Sequence, residues 1–184
     1  MSRTRLAVAM CACAGLSSCG WTSSWFSSSS GPSAAPVASC PNTIILRPLA
    51  QTAVFAPGAA RQPLGVAFYG ILSDVGAKCD VAGDAVRAKL EIVVIGERGP
   101  AAGRADSVDL QYFVAVTGPG DTVLSKRSYP VHIAIPGDAR RSGVNDHIEE
   151  TIALGGRSTA DLSIIVGFQQ SPEIVDFYRH FRGR

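Results

Sequence analysis

The sequence predicts an all-β domain: a two-layer antiparallel β-sandwich of about seven short strands, closed by a short C-terminal helix. Three observations carry this expectation. From Cys40 onward, apolar and polar residues alternate in short runs, the period of a strand with one buried face. Gly, Pro, Asp and Asn punctuate those runs, as they do in sandwiches and barrels. Only after Gln170 does the apolar spacing become that of a helix.

The first run covers residues 43–49, and the second, 64–72, continues irregularly through 74–79. Residues 86–95 give the clearest strand: Val86, Ala88, Leu90, Ile92 and Val94 share one face, and Arg87, Lys89 and Glu91 the other. Residues 108–117 place Leu110, Tyr112, Val114 and Val116 together, and the turn from Gly118 to Asp121 leads into 122–135. There Tyr129, Val131, Ile133 and Ile135 alternate with Ser128, Pro130, His132 and Ala134. Pro130 has no N–H to give to a ladder, so this strand belongs at a sheet edge. Residues 147–154 align Ile148, Ile152 and Leu154, and 161–169 align Leu162, Ile164, Val166 and Phe168, which brings the count to seven.

The helix opens on Ser171 as a capping hydroxyl, Pro172 at its first position and Glu173 near the positive end of its dipole. Ile174, Phe177, Tyr178 and Phe181 then form one apolar stripe, while Arg179, His180 and Arg182 face away. So short a helix is marginal in water alone, so the stripe needs a partner. Its own sandwich is the simpler one, and a groove in another protein is the alternative.

Ahead of the domain lies an export pattern. Arg3 and Arg5 precede an apolar run at residues 6–16, too short to span a hydrocarbon core that needs roughly 20 apolar residues. Leu16-Ser17-Ser18-Cys19 then resembles the lipobox of bacterial lipoprotein precursors. That resemblance implies cleavage before Cys19 and acylation of its thiol. Residues 1–18 would be the signal peptide, with the mature chain held to a membrane through lipid on Cys19. Gly20, in place of Asp, is similar to lipoproteins sorted to the outer rather than the inner membrane. Residues 19–39 are Ser-rich and read as a tether to the domain at 40–184. A flexible tether of this length spans about 25 Å root-mean-square and about 70 Å at full stretch. Trp21, Trp25 and Phe26 fall in it, either resting at the membrane interface or there as incidental composition.

Of five cysteines, Cys11 and Cys13 would leave with the signal and Cys19 would carry lipid, which leaves Cys40 and Cys79. In an oxidising periplasm that pair is expected to form a disulfide. The mature chain also loses Arg3 and Arg5 from its 17 basic residues and none of its 15 acids, so it is close to neutral. Without a basic stripe, nucleic acid is not an expected partner.

Catalytic signatures are missing. There is no Gly-x-Ser-x-Gly motif and no Gly-rich phosphate loop before a helix. His147 and Glu149 share a strand face, but a metal site takes three or four ligands, so neither a metal nor a cofactor is expected. His132 and His180 sit on polar faces, and Lys126-Arg127 and Arg140-Arg141 are small basic clusters at loops.

Seven strands in about 145 residues, with Gly155-Gly156-Arg157-Ser158 before the last, resemble fibronectin-type and immunoglobulin-like domains in architecture. Residues 40–184 contain no Trp, so the immunoglobulin Cys-Trp-Cys spacing is absent, and an architectural likeness carries no function. The lipobox, the Cys40-Pro41 start and the Phe168-Gln169 strand end are similar to periplasmic lipoproteins of proteobacteria, a family that implies no activity. The expected function is a non-catalytic interaction or scaffold domain on the periplasmic face of the envelope, with an envelope protein as partner. Lys126, Arg127, Ile174, Phe177, Tyr178 and Phe181 are its candidate contacts. The alternative is a small-ligand carrier with a pocket inside the sandwich.

Overall fold

A computed structural model describes residues 39–181. Cys19, the signal segment, the tether as far as residue 38 and Arg182 lie outside the described residues. The domain is an all-β sandwich of two four-stranded sheets with one short helix. Its strands are β1 (Asn42–Ile45), β2 (Gln51–Phe55), β3 (Val66–Ala82), β4 (Ala85–Arg98), β5 (Ser107–Thr117), β6 (Val123–Ala134), β7 (Arg141–Ala153) and β8 (Ser163–Phe168), and its helix is α1 (Pro172–His180). One sheet runs β1-β8-β5-β6 and the other β2-β3-β4-β7. All pairs are antiparallel except β1 with β8.

Eight strands form where the alternation predicts seven. Pro48 is the cause. It ends β1 and sets a 3-10 turn at Arg47–Leu49, after which the chain crosses to the second sheet and continues as β2. Residues 46–49 are therefore a crossover rather than the end of a strand. Leu64, expected to open the second run, is 74% exposed ahead of β3. β7 starts at Arg141, six positions before the predicted run.

The irregularity at residues 74–79 is a β-bulge. Leu72 pairs with Val94 but Asp74 pairs with Val93, which leaves Ser73 as the extra residue. With a side-chain period of two, one added residue exchanges the faces of everything after it. Phe68 and Leu72 point into the core before the bulge, whereas Val75, Ala77 and Cys79 point inward after it. This phase change turns Cys79 toward Cys40, at the head of β1 in the opposite sheet. The two are disulfide-bonded with Cα atoms 5.2 Å apart.

Between the sheets the core is filled by Phe68, Leu90, Ile92, Tyr112, Ile133, Ile164 and Phe168 with their neighbours. Packing is close enough that a Cβ on Gly70 would come within 2.7 Å of Leu110 Cδ1 and 2.8 Å of Thr52 Cγ2. At the end of the sandwich that carries the loops after β4 and β6, Arg98 acts as a clasp. Its guanidinium donates to the carbonyls of Ala139 at 3.1 Å, Ile135 at 2.8 Å and Ala105, so it satisfies loop acceptors that lack strand partners.

The helix starts as its sequence predicts. Ser171 Oγ accepts from the Ile174 N–H and Pro172 occupies the first turn. Its stripe packs on the outer face of β2 and β3, where Phe177 is 4% exposed among Ala53, Val66, Phe55 and Tyr69. Phe177 meets Phe55 edge to face at 5.1 Å. Arg61 Nε donates to Glu173 at 2.9 Å and ties the first turn to the loop before β3.

Candidate functional site

β6 and β7 are the outer strands of their sheets, and they meet along one side of the sandwich. The register of β7 against β4 sets Val144, Asp146, Ile148, Glu150 and Ile152 on the inner face, opposite Val94, Ile92, Leu90, Ala88 and Val86. Two carboxylates therefore point inward, and Glu150 is only 3% exposed. Tyrosines from the other sheet meet them. Tyr112 donates to Asp146 Oδ2 at 2.7 Å, and Tyr129 donates to Glu150 Oε1. Tyr112 and Tyr129 lie opposite in register and stack at 5.6 Å. Arg127 adds a cation, its Nη1 3.7 Å from Glu150 Oε2.

Burial first, and then the hydrogen bond to Asp146, raise the Tyr112 phenol far above its ordinary range. The same causes, with Glu150 as acceptor, push Tyr129 up to about 12. Both phenols stay protonated at neutral pH, as donors must. Each carboxylate has a phenol donor, and Glu150 a cation as well. The group satisfies buried charge and fixes the seam.

This network was legible only in part. Alternation puts Glu150 on the same face as Ile148 and Ile152, but in the run Asn145-Asp146-His147-Ile148-Glu149-Glu150 the acids read as solvated.

Lys126 and Arg127, read as one basic cluster, point to opposite faces because adjacent strand residues must. Lys126 lies on the outer face of the first sheet, where Nζ sits 4.2 Å from the Phe113 ring centroid and donates to Gln169 at 3.0 Å. Arg127 turns to the seam. The helix residues divide as well: Phe177 is buried in cis, Ile174 and Tyr178 are half-buried, and Phe181 stays 45% exposed. His147 and Glu149 are exposed on β7, with Glu149 paired to Arg87 at 3.2 Å. His132 meets Asp109 at 2.7 Å, and Arg140 meets Glu97 at 3.2 Å. Among the described residues no group of three His, Cys, Asp or Glu side chains is placed to hold a metal ion, and no helix is long and apolar enough to cross a membrane.

A second feature has no local sequence signature. Along the flank of α1, a groove of about 690 Å³ runs over the outer face of β3, lined by Tyr69, Ile71, Glu97, Arg140, Tyr178 and Phe181 among others. These residues come from four segments and meet only in the fold. Burial, and then the charge of Glu97, raise the Tyr69 phenol; burial, and then Tyr69, raise Tyr178.

No protein family, curated protein or solved structure matches the chain.

Proposed function

We propose that the protein is a lipid-anchored, non-catalytic interaction domain of the bacterial cell envelope. In this reading it is tethered through Cys19 on the periplasmic face, at the outer membrane rather than the inner, and it docks an envelope protein along β6. The observation that supports the docking side is the first half of that edge strand. From Val123 to Ser128 every side chain is exposed, Val123 at 60%, and the run combines apolar Val123 and Leu124 with Lys126 and Arg127. An extended segment added to this edge would share its alternation. Successive acidic residues on such a segment would meet Arg127 on the seam side and Lys126 on the outer side. The packed core supports this reading over a carrier with its pocket between the sheets.

The tether and the docking edge are tested separately. Cys19→Ala is expected to move the protein from the carbonate-washed membrane pellet to the soluble fraction, and retention in the pellet excludes lipid as the anchor. A photo-crosslinker at Ser128 in cells is expected to capture one recurrent envelope protein. Lys126→Glu with Arg127→Glu should abolish that capture, whereas Lys89→Glu on the other sheet should not. Equal capture by all three proteins removes the β6 edge as the docking surface.

A further inference from the structure

The groove beside α1 lies on the opposite sheet from β6 and has a different character. We propose that it is a binding site for a small aromatic acid, a flat apolar ring system carrying a carboxylate. Its floor and walls supply the apolar part: Tyr69 and Ile71 from β3, Tyr178 and Phe181 from the helix. A volume of about 690 Å³ suits a small ligand, since such pockets run from roughly 300 to 1,000 Å³.

The polar groups favour an anion. Tyr69 and Tyr178 bring two phenol hydrogens that no other side chain among the described residues takes up. Arg140 uses Nε on Glu97, and among the described residues no hydrogen bond takes up its two terminal nitrogens, a pair of donors that suits a carboxylate. Arg141, opposite Glu97 in register, adds positive charge on the same face of the sheet, and no ion pair engages it among the described residues. Glu97 is the one acid lining the groove, and Arg140 already occupies it.

The groove is also preformed. Phe177, the Ser171 cap and the Arg61–Glu173 pair fix the helix that makes its wall, so a ligand need not order that wall on arrival.

The test uses the full-length chain and three probes of one shape: 2-naphthoate, the neutral 2-naphthylmethanol and the cationic 2-naphthylmethylammonium. A ligand of about 13 non-hydrogen atoms in an open groove is expected to bind in the high micromolar to low millimolar range, which titration followed by NMR detects. Saturable binding of 2-naphthoate at one site is expected, with the neutral probe about tenfold weaker and the ammonium weaker still. Arg140→Gln should lower naphthoate affinity about tenfold and leave the neutral probe unchanged, while Arg127→Gln at the seam should alter neither. Tyr178→Phe, which keeps the ring and removes the hydroxyl, should weaken only the anion. The proposal is overturned if naphthoate does not saturate, if the ammonium binds as well as the carboxylate, or if Arg127→Gln weakens binding where Arg140→Gln does not.

Discussion

The Tyr129 phenol crosses the seam between the two sheets and donates to Glu150, a carboxylate that points into the sandwich from the outermost strand of the opposite sheet. Losing the donor strands the acceptor. Tyr129→Phe is expected to destabilise the domain by about 1–3 kcal/mol, measured by denaturant unfolding. Replacing both partners, Tyr129→Phe with Glu150→Ile, has a different outcome, because it continues the row of Ile148 and Ile152 and leaves neither a stranded donor nor a buried acid at position 150. The stability of this double variant should stay within about 1 kcal/mol of the parent. However, an inward charge on an edge strand also discourages edge-to-edge pairing, so the double variant should self-associate in sedimentation velocity where the parent does not. A monomeric double variant would mean that the acid does not guard this edge.

The tyrosines set an alkaline limit. Tyr129, with an ordinary value of 10.0, stands at about 12 in the folded protein. Between those values the native state holds a proton that the unfolded chain has released, so raising the pH favours unfolding. The stabilisation is complete below pH 10.0 and is lost as the pH climbs toward about 12. Tyr112 and Tyr178 shift in the same direction and deepen the fall. Urea midpoints should therefore decline across this window, and Tyr129→Phe should decline less steeply. An identical slope for the two proteins would show that Tyr129 does not contribute.

The bulge at Ser73 makes a covalent prediction. Deleting Ser73 would return residues 74–82 to the face opposite the one they now use and carry Cys79 away from Cys40. The denatured, unreduced deletion variant should label with a thiol reagent at Cys40 and Cys79, whereas the parent should label at neither. Reducing the parent's bridge, which closes a separation of 39 positions, should cost about 4 kcal/mol.

The helix contributes through one ring. Phe177→Ala empties a buried site between α1 and β2–β3 and is expected to cost about 3 kcal/mol, against about 1 kcal/mol for Ser171→Ala at the cap. Truncation after Gln170 should lower the melting temperature at least as much as Phe177→Ala. An unchanged melting temperature would mean that the stripe is free to pack elsewhere.

What the sequence revealed follows the range of each signal. Alternation in β4, β5 and β8 assigns the inward faces correctly, because both neighbours of each strand reinforce one buried side. β2 escaped because no run was read between residues 49 and 64: Pro48 sits in the crossover after β1, and the strand that follows it, Gln51–Phe55, is only five residues long. The bulge showed only as a broken period. A single extra residue looks the same as the loss of a strand until its partner's register is known. The helix cap was plain because Ser171, Pro172 and Glu173 act within one turn. The groove was invisible: Tyr69, Glu97, Arg140 and Tyr178 are brought together by pairing across β3, β4 and the helix, and no short window contains them.

The disulfide also decides where a pull on the chain is felt. β1 is four residues long and holds its sheet through β8 alone, so tension entering at Ser39 would peel it away one hydrogen bond at a time. Cys40 stands ahead of that strand and is bonded to Cys79 on β3, a 17-residue strand flanked by β2 and β4. Force from upstream therefore passes directly into the long strand of the other sheet, where many ladder bonds must yield together. The short strand is mechanically bypassed, and the domain resists traction from its N-terminal side better than the length of β1 alone would allow.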